Sequence, residues 1–190
     1  YFTGVSWWRS ERLTAALIPA EGEVTVVTPF FEAPSIRESL AVPAGIRTWN
    51  EHENPLKLVA DWLREKKLTD KPVAIEETVR HFIVDGLQRA LPGVQVVNGA
   101  AVVRACRMHK SAAEIALMKT AADITTAAFR AAGAQVQKGM TPDDINALII
   151  AETAKRGGKG GDALVLLGEA SAYPHGSGKP QEVREGEVVL

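Results

Sequence analysis

The chain has 190 residues, 46% of them hydrophobic and 24% charged, and carries a net charge of −1. This is an ordinary globular composition with room for one or two domains, and the near-zero charge removes any bulk electrostatic case for binding nucleic acid or an anionic membrane. The single cysteine, Cys106, excludes an internal disulfide, so a reducing, cytoplasmic setting is the default expectation, and no apolar run approaches the ~18 residues of a membrane helix.

The first half alternates strand and helix signals. Residues 13–18 and 23–28 are β-rich runs on either side of Pro19-Ala20-Glu21-Gly22, which predicts a hairpin. Asn54-Pro55 is a helix start, with Asn as the cap and Pro in the first helical position. Leu56, Val59, Trp62 and Leu63 then fall on one core-facing stripe. Residues 73–75 read as a short buried strand. Residues 78–91 read as a helix with Phe82, Ile83 and Leu87 inward and Pro92-Gly93 as its stop, and residues 94–97 as a further strand. Helices covering a mixed sheet in an α/β arrangement follow from this order. Cys106, among Val103, Arg104 and Arg107, reads as a structural thiol rather than a reactive one.

The second half is richer in helix formers. Ser111-Ala112-Ala113-Glu114 has the spacing of a capping box. The helix it opens, to about residue 132, would be roughly 30 Å long. Its apolar residues Ile115, Leu117, Met118, Ile124 and Phe129 spread around more than one face, which predicts packing on two sides. Thr141-Pro142-Asp143-Asp144 starts another helix, expected to turn Ile145, Leu148, Ile149 and Ala151 inward and to end at Gly157-Gly158. A domain boundary is expected near residues 107–110, giving domains 1–108 and 109–190. Residues 163–167 read as a strand, and Val188-Val189-Leu190 as a second strand buried on both faces. An apolar run at the very end, with an equally abrupt start, leads to the expectation that the chain is a piece of a longer protein.

Few residues carry a chemical signature. Gly157-Gly158-Lys159-Gly160-Gly161 follows a helix C-terminus, where the dipole repels anions, and lacks Walker spacing; it reads as a connector and not a phosphate cradle. Glu76-Glu77 reads as helix-start acids more readily than as an acid/base pair. His52, His81 and His109 have no metal-ligand spacing. Trp7-Trp8 reads first as core packing, with an aromatic wall of a substrate pocket as the alternative. His175 stands between Pro174 and Gly176, just past an apolar strand. A lone loop histidine is most often surface decoration, but a loop displayed by a rigid scaffold is where functional groups concentrate, and imidazole can donate to an oxyanion or move a proton near neutral pH.

Several of these segments together resemble the creatinase/prolidase/aminopeptidase P metallopeptidases of the pita-bread fold (family M24), nearest to Xaa-Pro dipeptidases. The residues that carry the resemblance are Tyr1-Phe2-Thr3-Gly4 with Glu11-Arg12-Leu13-Thr14-Ala15, Lys110-Ser111-Ala112-Ala113-Glu114-Ile115, Gly139-Met140-Thr141, and above all Pro174-His175-Gly176 followed by Glu185-Gly186-Glu187-Val188-Val189-Leu190. Glu187 stands where the family more often has Asp. The resemblance implies an RNase-H-like mixed-sheet N-terminal domain and then the first part of an α+β catalytic domain. It implies hydrolysis of the Xaa-Pro imide bond in dipeptides or short peptides, with two divalent metals, manganese or cobalt or else zinc. The metal ligands are expected beyond Leu190, so residues 1–190 alone are expected to be inactive. It implies catalytic and substrate contact for His175, a homodimer, and substrate-side walls from Trp7 and Trp8 together with Tyr1 and Phe2. A metal-independent, creatinase-like amidinohydrolase using the same histidine and a non-catalytic peptide- or protein-binding member are the alternatives.

Overall fold

The computed structural model describes residues 1–190, which divide into two units, Tyr1–Met108 and His109–Leu190. In the first unit, β1 (Ala15–Leu17), β2 (Val24–Pro29) and β3 (Ala44–Trp49) form one sheet in that order. β1 runs antiparallel to β2, with Ala15 opposite Val27, and β2 runs parallel to β3, with Val24 opposite Ala44. A parallel pair needs a crossover, and here α1 (Ala33–Ser39) supplies it. As the central strand, β2 is buried from Thr25 through Pro29, so its residues read as a continuous run and not as alternation.

α2 (Pro55–Glu65) begins where its cap predicts: Asn54 Oδ1 accepts from the Leu56 amide at 2.9 Å. Its stripe of Leu56, Val59, Ala60, Trp62 and Leu63 is buried and joins Leu13, Val27, Trp49, Leu87, Leu91 and Val94 in one core. Burying each large apolar side chain there contributes about 1.5–3 kcal/mol. Both core indoles also satisfy their N–H groups: Trp62 Nε1 donates to Thr25 Oγ1 at 3.1 Å and Trp49 Nε1 to the Leu13 carbonyl at 3.0 Å. β4 (Val73–Ile75) and β5 (Val96–Asn98) make a separate parallel pair, joined by α3 (His81–Ala90) and followed by α4 (Ala100–Met108). Gly86 lets α3 approach α2 closely, since a Cβ there would lie 3.0 Å from Leu56 Cγ.

The first unit departs from the sequence reading in several places. α3 starts at His81 and not at Thr78, because the Glu76 carboxylate captures the Thr78 amide and hydroxyl at 3.2 and 2.6 Å and holds a turn there. Glu76 and Glu77 are therefore not helix-start acids; Glu77 instead pairs with Arg104 of α4 at 2.6 Å. Phe82 is not on the inward stripe but lies exposed, with the Arg80 guanidinium 5.3 Å from its ring centroid. The strand expected at residues 94–97 is shifted to Val96–Asn98, Val94 being buried just before it. α1 and β3 have no strong periodic signal: α1 is seven residues long and β3 carries Gly45 and Arg47. Cys106 lies exposed on α4.

The second unit is built on α5 (Ala112–Gly133) and α6 (Pro142–Lys155). Both begin with the predicted capping boxes: Ser111 Oγ accepts from the Glu114 amide at 3.2 Å, and Thr141 Oγ1 from the Asp144 amide at 3.3 Å. In return the Thr141 amide donates to Asp144 Oδ2 at 2.9 Å, which lowers the Asp144 pKa. The core here is Ala132, Ile145, Ile149, Val165 and Leu167.

Three expectations fail in this unit. α5 is not packed on two sides: Ala128 and Ala132 are buried, whereas Ile115, Leu117 (71% exposed), Met118 and Phe129 face solvent. On α6 Ile145, Leu148 and Ile149 do face the core, but Glu152 and Thr153 continue the inward face, and Ala151 is exposed. The two expected terminal strands reduce to one antiparallel bridge, Leu167 to Val189. Val165, Leu166 and Leu167 are buried, but Val188, Val189 and Leu190 are exposed, so the terminal segment is not buried on both faces within residues 109–190.

Candidate functional site

The backbone around His175 is held at several points. Residues 165–167 lie extended against 188–190: Leu166 N and Leu190 O are 2.8 Å apart, as are Leu190 N and Leu166 O, and Gly168 N donates to Val188 O at 2.8 Å. A short 3-10 turn, Gly168–Ala172, then carries the chain away from the pair, with Ser171 Oγ donating back to the Gly168 carbonyl at 2.7 Å and Ala170 buried beneath. Gly168 has φ +54°, and a Cβ on it would collide with the Glu187 carboxylate.

His175 follows at the second corner of a four-residue turn closed by Gly176 N donating to Tyr173 O at 3.0 Å. Pro174 presets the first corner of that turn. Gly176 adopts φ +89°, a left-handed conformation that favours glycine, and its Cα faces the side chains of Leu164 and Leu166. The turn places His175 on the exposed surface. The return path is fixed as well: Gln181 Oε1 accepts from Leu167 N at 2.9 Å, Val183 N donates to Met140 O at 2.8 Å, and Gly139 N donates to Val183 O at 2.9 Å. Upstream, Asn146 Oδ1 on α6 accepts from Ala163 N at 3.0 Å. Asn146 and Gln181 had no signal in the sequence, because their partners are set by the tertiary fold.

Elsewhere in this unit a buried carboxylate stands out. Glu152 accepts from Lys155 Nζ at 2.6 Å, Arg156 Nη1 at 2.6 Å and Gln135 Nε2 at 3.1 Å. These partners, Lys155 first, then Arg156 and Gln135, hold its pKa down at about 2 against the opposing effect of burial. With three donors on it, this group is an electrostatic tie between α6 and the connection that precedes it, and not a proton shuttle.

Trp7 and Trp8 belong to the first unit, and His175 to the second. The reading of the tryptophans as core residues is overturned: Trp8 is 93% exposed and Trp7 38%. The segment that carries them is moored on both sides. Tyr1 Oη donates to the Cys106 carbonyl at 3.1 Å, Ala41 N donates to Thr3 O at 2.9 Å, Arg9 Nη1 donates to Thr78 O at 3.1 Å, and Arg80 Nη1 donates to Ser10 O at 2.9 Å. Tyr1 and Phe2 pack edge to face with centroids 5.2 Å apart. The result is an aromatic surface, held in place with its rings outward.

No three His, Cys, Asp or Glu side chains gather as metal ligands in residues 1–190, so the donors present here do not make a metal site. His52, His81 and His109 are exposed and apart from one another in the chain. No helix is long and apolar enough to cross a membrane.

Residues 1–109 match the creatinase/prolidase N-terminal domain, and residues 116–190 match metallopeptidase family M24. A protein named "Probable dipeptidase PepE" from Mycobacterium tuberculosis H37Rv is 33% identical over 185 residues, covering 95% of this chain and 48% of the relative. The crystal structure of dipeptidase PepE from Mycobacterium ulcerans superposes with a TM-score of 0.79 at 29% identity, over all of this chain and 51% of the other. The prolidase from Pyrococcus furiosus shares the fold, with a TM-score of 0.77 at 20% identity over all of this chain and 56% of the other. The chain spans about half the length of the curated relatives it matches. With more than half of its residues in the one domain match and most of the rest in the other, the chain belongs to the creatinase/prolidase family of M24 peptidases.

Proposed function

We propose that the complete protein is a metal-dependent peptidase that hydrolyses the Xaa-Pro imide bond of dipeptides or short peptides. In this proposal residues 1–108 are the creatinase/prolidase-type N-terminal domain and residues 109–190 begin the catalytic domain. The observation that carries the reading is His175: a surface imidazole on a turn whose backbone is fixed before it, at it and after it. Relatives and structural neighbours named as dipeptidases, prolidases and Xaa-Pro dipeptidases support the substrate class.

Hydrolysis adds the oxygen of water to the imide carbonyl carbon, breaks the C–N bond and leaves a proton on the proline nitrogen. As the carbonyl oxygen takes on charge, a ring N–H of His175 donates to it. A donor already held in place stabilises that charge without reorganising, an effect worth ~10²–10³ in rate. Two divalent ions, manganese, cobalt or zinc, belong to the proposal for the complete protein and would be held by residues outside 1–190; such ions supply a hydroxide nucleophile when bound. Trp7 and Trp8, with Tyr1 and Phe2 beside them, are proposed as an aromatic wall for the substrate in a cytoplasmic homodimer.

The test is His175→Ala in the complete protein with manganese, assayed on Ala-Pro and on Ala-Pro-Ala. The expected result is a kcat lower by about 10²–10³ with bound metal unchanged by elemental analysis. A variant with wild-type kcat would remove His175 from the chemistry. Cleavage of neither peptide by the wild-type protein would remove the Xaa-Pro assignment itself.

A further inference from the structure

We propose that Gln181 is a positioning residue for His175, its carboxamide tying the entry of the histidine loop to its exit. This role rests on the function proposed above for the imidazole.

The case begins with one amide. In the antiparallel pairing of residues 165–168 with 188–190, the N–H groups of Leu166 and Gly168 point at the partner segment and bond to Leu190 O and Val188 O. The N–H of Leu167, between them, points the opposite way, where a third strand would stand. Leu167 is a core residue at 4% exposure, and a buried N–H needs a partner. Gln181 provides it: Oε1 accepts at 2.9 Å across a separation of 14 residues. A backbone N–H can only donate, which fixes the orientation of the carboxamide and leaves Nε2 facing the other way. There it donates to the Ser177 carbonyl at 3.4 Å, two residues past His175.

One side chain thus spans the loop, from the residue before its 3-10 turn to the residue just beyond the Pro-His-Gly turn. Gln181 is itself held, because Val183, two residues on, is bonded to Gly139 and Met140. Pro180 restricts the backbone on the other side. The loop has no other side-chain bond between its two arms: Ser171 closes on Gly168 within the entry arm, and Ser177 Oγ accepts from Lys179 N within the exit arm. Without the Gln181 carboxamide the arms lose their side-chain hydrogen bond and are left with the pairing at their far ends and the non-directional packing of Gly176 on Leu164 and Leu166, so the turn between them can drift. A displacement of about 1 Å in a reacting group can lower rate by ~10²-fold.

Three variants of the complete protein, assayed with manganese on Ala-Pro, test this. Gln181→Ala is expected to lower kcat about 10- to 100-fold while KM moves less than about threefold. Gln181→Glu keeps the acceptor for Leu167 N but sets a second oxygen against the Ser177 carbonyl, and is expected to recover only part of the loss. Gln181→Ala combined with His175→Ala is expected to be no slower than His175→Ala alone, since a residue acting through the imidazole has nothing to act on once it is gone. In the 190-residue chain, Gln181→Ala is expected to speed hydrogen exchange at Leu167 N while leaving Leu166 N unchanged. Additive losses in the double variant, or an unchanged kcat in Gln181→Ala alongside a slow His175→Ala, would overturn the positioning role alone. A wild-type kcat in His175→Ala would overturn the underlying assignment, and this role with it.

Discussion

The two units solve the problem of stability differently. The first buries eleven residues in one cluster, two of them tryptophans whose indole N–H groups are both bonded. The second buries five, none aromatic. Beside that cluster it carries polar ties: a carboxylate gripped by three donors, two reciprocal capping boxes, and a loop moored by Asn146, Gln181 and Val183. Apolar burial is non-directional and tolerant of detail, whereas a hydrogen-bonded framework fixes atoms at set distances. A displayed imidazole needs the second kind of support, and the molecule provides it where His175 stands.

The comparison breaks most visibly if a core indole is removed. Trp62→Ala deletes a buried ring and leaves Thr25 Oγ1 without its donor, at an expected cost of about 3–5 kcal/mol, read from urea denaturation and from hydrogen exchange at Val27. A loss under 1 kcal/mol would mean that the first unit does not depend on its aromatic core. The polar framework is challenged by acid. Glu152 has its pKa lowered from 4.5 to about 2, so its contribution is complete above pH 4.5 and is lost as pH falls from there toward 2. Glu152→Gln is expected to lower the melting temperature near neutral pH and to flatten its dependence on pH below 4.5; an unchanged acid profile would show that the tie does not stabilise the unit. The smallest effect belongs to the caps. Ser111→Ala removes the acceptor for Glu114 N and is expected to cost about 1 kcal/mol, seen as fraying of the first turn of α5 by amide exchange.

What the sequence made legible follows the same division. Local signals held where the partner is close in the chain: Asn54 capping α2, Ser111 with Glu114, Thr141 with Asp144, and the stripe from Leu56 to Leu63. The family could also be read, because its motifs are contiguous. The errors came where tertiary context decides. Trp7 and Trp8 are as hydrophobic as any core pair, yet the moorings at Thr3, Arg9 and Ser10 hold their segment on the surface. Ile115, Leu117 and Met118 look like core on composition, and within this unit nothing covers them. Glu152 is charged and was not expected inside, but its donors are Lys155 on α6, Arg156 just past it, and Gln135 in the connection after α5. Gln181 could not be singled out at all, since its value depends on the direction of one amide fourteen residues away.

A hydroxyl pair in the first sheet bears on how the hairpin finds its register. Thr28, wholly shielded from solvent, has Thr14 Oγ1 at 3.1 Å and the Glu32 carboxylate at 3.4 Å. Continuing the observed pairing outward from Ala15 and Val27 sets Thr14 opposite Thr28. If β1 docked one residue out of step, Leu13 or Ala15 would face Thr28, and every side chain of the strand would change faces. A methyl-bearing neighbour would then replace the hydroxyl contact, in a place water does not reach. The pair therefore adds a hydroxyl contact that only this alignment of the three-residue strand provides.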